Sequence, residues 1–345
     1  VEGAGCVPER NDSCVPERND SCVPERNDSC VPERNDSCVP ERNDSCVPAR
    51  NDSCVPEGRA ADDGVRLLDR IDLVRKELDA ARARGCRIGL VPTMGALHDG
   101  HLSLIRRAAA ECDVTVVTVF VNPLQFGTGE DFARYPRDLE RDLALAAEAG
   151  ADLILAPPVE EMYPEPPVVR VSVEGALADR LEGAARPGHF AGVATVVAKL
   201  FAIAGPCRAY FGEKDYQQLL VVRRLAADLS LPVEVVGCPT VRDPDGLARS
   251  SRNAYLSPDE RRAATVLHRA VRAAAGADER DANRLRALMA ATVEDEPLAR
   301  LDYADVVDAA TLEPLDVVGG SGARLVIAAW VGTTRLIDNM EVRRS

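Results

Sequence analysis

Between residues 87 and 156 short apolar runs alternate with amphipathic ones, and this alternation leaves the chain few architectures to choose from. Residues 87–92 (RIGLVP) read as a buried strand, and residues 114–121 (VTVVTVFV) as a β-branched run typical of the interior of a parallel sheet. Between them Leu102, Leu104, Ile105 and Ala108 share one face of a helix predicted over residues 101–111. A second helix over roughly residues 136–149 leads into a strand at residues 151–156. Strand–helix–strand units at this spacing build a right-handed βαβ sheet with helices on both faces, and such sheets bind ligands at the carboxyl ends of their strands. The expected fold class is therefore α/β with a parallel sheet over residues 58–240, opened by a helix from about Val65 ahead of a first strand near Arg87. Past about Thr240 the texture changes. Residues 258–274 and 281–291 read as charged amphipathic helices, and residues 301–307, 324–331 and 333–337 as strands, a smaller α+β domain over residues 241–345.

The first 57 residues obey a different rule. The octapeptide CVPERNDS begins at Cys6, Cys14, Cys22, Cys30 and Cys38, recurs as CVPARNDS at Cys46, and is partly copied from Cys54. Each unit offers one small apolar residue, one proline and no aromatic, too little buried surface to offset the entropy of ordering. Its period is also far below the roughly 20–50 residues of stacking repeats. Residues 1–57 are expected to form a disordered tail. Seven of the eleven cysteines lie there, without a CxxC pair or a nearby histidine, a poor set of metal ligands. Cys86, Cys112, Cys207 and Cys238 lie in or beside apolar segments and are expected to be buried free thiols, as in a reducing cytoplasm.

The tail contributes half of the formal net charge of −14, so the body is acidic too, and a nucleic-acid-binding face is not expected. The longest apolar runs, such as residues 325–331, are far too short to cross a membrane, and the first residues carry no charged-then-apolar signal pattern. The expected location is the cytoplasm.

Four polar motifs carry the chemistry. PTMGALHDGH (residues 92–101) stands where a strand ends and a helix begins. There Gly95 and Gly100 permit sharp turns or close approach, and the helix N-terminus offers unpaired N–H groups and a positive dipole end. Two histidines three residues apart, His98 and His101, can reach phosphate oxygens as neutral donors or as imidazolium; a pair of capping histidines is the plainer alternative. VFVNPLQFG (residues 119–127) places the amides of Asn122 and Gln125 at a strand end, suited to an organic acid bearing a hydroxyl, or to turn chemistry around Pro123. The EDFARYPRD stretch after it (residues 130–138) reads equally as a lid or a solvated helix start. FGEKDYQQL (residues 211–219) offers Lys214 for a polyphosphate, Asp215 for a hydroxyl or metal-bound water, and the Gln217 and Gln218 amides. SSRN (residues 250–253) brings two hydroxyls and the Arg252 fork together, which suits phosphate recognition and reads equally as a polar loop. RPGHF (residues 186–190) leads a basic loop into an apolar helix, in which Lys199 either reaches a ligand or snorkels.

In this order, with RPGHFAGV between the second and third, these motifs closely resemble the pantothenate synthetase (pantoate–β-alanine ligase) family, from about residue 60 to the C-terminus. The resemblance implies a Rossmann-like nucleotidyltransferase domain, shared with class I aminoacyl-tRNA synthetases, and a smaller C-terminal domain that closes on the site of a homodimer. It implies ATP-dependent joining of pantoate to β-alanine through a pantoyl adenylate, with Mg2+ accompanying ATP. By position, Met94, Gly95, Ala96, Leu97, His98, Asp99, Gly100 and His101 would line ATP, and Gly212, Glu213, Lys214, Asp215, Val241, Arg249, Ser250, Ser251 and Arg252 would complete the nucleotide site. His101, His98 and Lys214 would be catalytic, the histidines electrostatically. Gln125, Gln218 and Asn122 would hold pantoate, and Asp142 is a candidate magnesium contact. Two departures stand out: Arg249 occupies a position where the family commonly has Met, and the octapeptide is foreign to the family pattern. The competing readings are another nucleotidyltransferase of the same superfamily, or a repeat-bearing interaction protein with a vestigial catalytic domain.

Overall fold

The computed structural model describes residues 65–127, 129–320 and 322–342; the octapeptide segment lies outside them. Among the described residues the strands form two sheets. The first is parallel throughout, in the order β1-β4-β3-β2-β5-β6, from β1 (Arg66–Leu68), β2 (Ile88–Thr93), β3 (Val114–Val119), β4 (Leu153–Leu155), β5 (Cys207–Gly212) and β6 (Val233–Cys238). The connecting helices are α1 (Ile71–Ala83), α2 (Asp99–Glu111), α3 (Leu139–Glu148), the short α4 (Val159–Met162), α5 (Ala176–Asp179) and α6 (Glu182–Ala185), then α7 (His189–Ala204) and α8 (Tyr216–Asp228). Alternate side chains of the strands go to opposite faces, as a period of two requires. Leu90 and Val116 join Leu78 of α1, Val197 of α7 and Val222 of α8 in one core, while Val91 and Val117 join Ile105 of α2 and Ala146 of α3 in the other. Both faces are covered, which is why these strands read as continuous apolar runs.

Strand β2 pairs with β3 on one side and β5 on the other. The strand order therefore reverses at β2 and opens a crevice at the carboxyl ends of β2 and β5. PTMGALHDGH leaves β2 there, and GEKD leaves β5.

The second sheet is antiparallel in the order β7-β8-β9, built from β7 (Ala299–Asp308), β8 (Ala323–Val331) and β9 (Thr334–Val342). Leu325 and Ile327 of β8 pack with Leu267, Val271, Leu285 and Met289 of α10 (Val266–Gly276) and α11 (Ala282–Glu294), whereas Val326 packs with Leu220 of α8.

Four expectations change. The segment after Val65 begins with the edge strand β1 rather than a helix; three residues are too few for any periodicity, and its identity comes from pairing with β4. Residues 258–274 form two helices, α9 (Pro258–Ala263) and α10, not one. Helix α2 starts at Asp99, because His98 takes the N-cap. Cys112, Cys207 and Cys238 are free, but Cys86 is disulfide-bonded, a pairing that depends on distance in space and not on spacing in sequence.

Candidate active site

The chain leaves β2 at Thr93 and enters α2 at Asp99, so it must turn within a few residues. It does so through two successive left-handed residues, Gly95 (φ 79°) and Ala96 (φ 51°). Asp142 of α3 accepts from the N–H groups of Ala96 and Leu97 at 2.9 and 2.7 Å, while the Leu97 side chain is buried in the core. His98 Nδ1 then accepts from Gly100 N at 3.1 Å, and His98 N donates to His101 Nδ1 at 3.4 Å. Two imidazoles thus make the capping box that Ser and Glu usually supply. A ring that accepts through Nδ1 carries its single proton on Nε2 when neutral. The capping and the chemical reading of these histidines are therefore compatible: the cap consumes Nδ1 and leaves Nε2–H as donor.

Both rings are held neutral. Burial, then the charge of Lys214, lowers the His98 pKa to about 4; burial, then His98 itself, lowers that of His101 to about 3. The ring centroids are 4.1 Å apart. Of the two forms considered from sequence, neutral donor and imidazolium, the geometry favours the first.

The facing wall comes from GEKD and SSRN. A cavity of about 690 Å³ is lined by Lys214, Asp215, Gln218, Ser250 and Arg252 of the expected residues, together with Glu130, Arg186, His189, Tyr303, Trp330 and Arg335. Residues 94–101 do not line this cavity; their histidines meet it through the charges of Lys214 and Asp215. Lys214 Nζ lies 3.4 Å from Asp215 Oδ1. Arg252 Nε lies 3.4 Å from Asp131 Oδ2, and Ser250 Oγ accepts from Arg252 N at 3.3 Å. Ser251 Oγ donates to Ala96 O at 3.3 Å, which joins SSRN to the histidine loop. Arg249 is held between Asp99, at 3.0 Å, and Asp243, while its backbone N–H donates to Val241 O at 2.9 Å. Glu213 turns its carboxylate to Arg324 at 3.1 Å. Just past Gly212, the Asn339 amide of β9 donates to both Glu213 O and Lys214 O at 2.9 Å, so the second sheet fixes the lysine loop. Nothing in the local sequence around Asn339 announces that role.

The amides divide into holders and held. Asn122 is buried, donates to Gln125 Oε1 and Gly192 O at 3.1 Å each, and accepts from Leu124 N at 3.3 Å and the Tyr163 hydroxyl at 2.9 Å. Its hydrogen bonds within the protein place it behind Gln125, which it orients. Gly192 is required at this contact, because a Cβ there would lie 2.2 Å from Leu124 O. Gln125 Nε2 reaches Met94 Sδ at 3.0 Å. Gln217 likewise holds the chain, donating to Leu177 O and Arg180 O at 3.0 Å each; Gln218 is the glutamine of the pair that expectation placed on substrate.

His189, outside the expected set, completes this wall. Its Nδ1 donates to Gln125 O at 2.8 Å, which leaves Nε2 to accept from Arg186 Nη1 at 3.0 Å, and Arg186 pairs with Glu130 at 2.5 Å. Burial, then Arg186, lowers the His189 pKa to about 4. The EDFARYPRD stretch is packed rather than solvated at its centre: Phe132 and Tyr135 contact Phe126, and Tyr135 is buried. Lys199 donates to Met162 O, away from any ligand role.

Known proteins match this arrangement. The family model for pantoate-beta-alanine ligase matches residues 66–341. The pantothenate synthetase of Moorella thermoacetica is 55% identical over 279 residues, 80% of this chain and 98% of the relative. That of Rubrobacter xylanophilus is 60% identical over 267 residues, 75% of this chain and 92% of the relative. The crystal structure of pantothenate synthetase from Thermus thermophilus aligns with a TM-score of 0.76 at 53% identity, covering 81% of this chain and all of that one. A Francisella tularensis pantoate-beta-alanine ligase, complexed with beta-gamma ATP and beta-alanine, aligns with a TM-score of 0.66 at 35% identity over 80% of this chain and 97% of that one. With its nucleotide-type crevice, its histidine-capped helix and these relatives over 75–81% of its length, the chain belongs to the pantoate–β-alanine ligase family.

Proposed function

We propose that this enzyme joins pantoate to β-alanine by two displacements at one site. The pantoate carboxylate attacks the α-phosphorus of ATP, and pyrophosphate leaves to give pantoyl adenylate. The β-alanine amine then attacks the acyl carbon, and AMP leaves. A carboxylate is a poor acyl donor, and adenylation supplies the leaving group; the protein contributes alignment, charge stabilisation and exclusion of water. The observation that carries the reading is the pair of neutral imidazoles at the N-terminus of α2, each with Nε2–H free to donate, beside Lys214. In this reading His98 and His101 donate to oxygens of the transferring phosphoryl group, and Lys214 offsets the charge of the departing pyrophosphate. Residues 94–101 and 212–215, with Val241, Arg249, Ser250, Ser251 and Arg252, surround the nucleotide. Gln125 and Gln218 hold pantoate, with Gln125 oriented by Asn122 and His189, and residues 241–345 act as the lid domain.

Magnesium enters as the counter-ion of ATP. Among the described residues no three His, Cys, Asp or Glu side chains form a metal cluster, and both oxygens of Asp142 are committed to backbone amides. In this reading the magnesium ion is carried on the substrate phosphates, which needs no protein cage. Among the described residues no helix is long and apolar enough to cross a membrane. A cytoplasmic homodimer completes the proposal; the binding of ATP and β-alanine is supported by the Francisella relative's complex.

The test is product analysis with ATP, pantoate, β-alanine and magnesium, omitting each in turn. Pantothenate and AMP are expected only from the full mixture, and pantoate-dependent exchange of pyrophosphate into ATP without β-alanine. Formation of ADP would rule out the adenylate route.

A further inference from the structure

One buried titratable group is not used by the chemistry above. Asp142 is 1% exposed, and its carboxylate partners among the described residues are the amides of Ala96 and Leu97, one on each oxygen. A buried carboxylate without a cation is costly, and burial does push the Asp142 pKa up. Its place in the first turn of α3, at the positive end of that helix, offsets only part of the cost. The two amides it holds flank the most constrained point of the histidine loop. Ala96 lies in the left-handed region without being glycine, a conformation that disfavours side chains. At Gly95 a Cβ would come within 2.8 Å of Asp142 Oδ2 and 3.0 Å of Val119 Cγ1, so the carboxylate fills the space that a side chain would need. Two residues later His98 takes the N-cap, and its ring orientation depends on where that turn delivers it.

We propose that Asp142 is a positioning residue for adenylate formation: its carboxylate clamps the left-handed Gly95–Ala96 turn and so sets the two imidazoles at the start of α2. It touches neither substrate nor metal; it acts through the backbone. The inference rests on the reading that His98 and His101 stabilise the transferring phosphoryl group.

Asp142→Asn tests it, because an amide of the same shape retains one acceptor and sets an N–H donor against a backbone N–H. Pantoate-dependent pyrophosphate exchange at saturating ATP should fall about ten- to hundredfold, the scale of one to two misplaced donor interactions. The KM for β-alanine and the magnesium concentration giving half-maximal rate should not move. Ala96→Gly lets position 96 hold a positive φ without strain, so the loss caused by Asp142→Asn should shrink at least about threefold when both changes are present. An equal loss with and without Ala96→Gly, a normal exchange rate, or a magnesium midpoint raised by Asp142→Asn would each overturn the proposal, the last in favour of a metal ligand. Should Asp142→Asn fail to fold, hydrogen exchange on the unaltered protein decides: the Ala96 and Leu97 amides are expected to be protected, and rapid exchange of both refutes the clamp. Normal exchange activity in His101→Ala with those amides still protected would remove the role given to the histidines and leave the clamp standing.

Discussion

The two walls of the site are built in opposite ways. The histidine wall is local and neutral: within a few residues it turns through two left-handed residues, caps a helix with its own imidazoles, and pushes both pKa values down to about 4 and about 3. The opposite wall is charged and assembled from afar. Lys214 leaves one sheet and is fixed by Asn339 of the other; Arg252 is paired with Asp131, and Arg249 with Asp99 and Asp243. Neutral donors can be preorganised in a dry place without burying a charge at the donors themselves; the buried carboxylate of Asp142 lies behind the turn, on backbone amides. A wall of cations needs carboxylate partners until phosphates replace them, and those partners lie across the chain. The difference teaches which residues should be intolerant of change and which should be forgiving.

The largest effect should come from the histidine wall. His101→Ala should slow adenylation by about two to three orders of magnitude, as when one preorganised transition-state donor is removed. The measurement is single-turnover formation of adenylate; a near-normal rate would break the comparison at its first term. Next come the amides. Gln125→Ala should lower kcat/KM for pantoate about ten- to a hundredfold while sparing ATP binding, the cost of about 1.4–2.7 kcal/mol expected for a buried hydrogen bond. Asn122→Ala should reproduce that pantoate-selective defect by releasing Gln125, and it should also lower Tm by leaving the Tyr163 hydroxyl without its acceptor. A selective ATP defect in either variant would contradict the assignment.

On the charged wall, Arg249→Met should keep activity within about tenfold, or roughly 1.4 kcal/mol of transition-state stabilisation. Its guanidinium already serves two carboxylates and is 39% exposed, so little of its charge is reserved for phosphate. A larger loss in steady-state kcat/KM for ATP would mean that the arginine has been recruited here. The smallest effect should be that of pH on rate. His98 and His101 stay neutral well below the ordinary histidine pKa of about 6.5, so kcat/KM for ATP should change less than about twofold between pH 7 and pH 5.5. Stability should behave otherwise. These rings and His189 take up protons on unfolding below about pH 6.5 but remain neutral when folded, so the unfolded state binds more protons in that window. Tm should therefore fall as pH drops from about 6.5 towards about 4 and recover as pH is raised; a rate that tracked Tm instead would show that the histidines titrate in the folded protein.

The α/β sheet and the places of the motifs on it are legible in the sequence. The strand–helix alternation and the four motifs identify the sheet, its ligand edge and the histidines, lysine and arginine that face each other, because those signals are local: periodicity of two or 3.6, a glycine at a turn, a strand end followed by a helix start. His189 stood in a motif too, but a lone histidine before an apolar helix carries no sign that its Nδ1 will hold Gln125 O. The edge strand β1 is not legible in the sequence, because three residues cannot display a period.

The division between the two sources follows from the range of the interactions. By itself the sequence determined the α/β class, the order of the motifs and the chemistry on offer at each, since backbone propensity and side-chain type act over a few residues. Only the tertiary structure decided which polar groups are spent on the protein and which remain for a ligand. Asp142 proved to hold the Ala96 and Leu97 amides, 46 and 45 residues away, Asn122 to be fully satisfied, and Asn339 to reach back 125 residues to Lys214. A hydrogen bond is specified by two partners at about 3 Å, and a motif names only one of them.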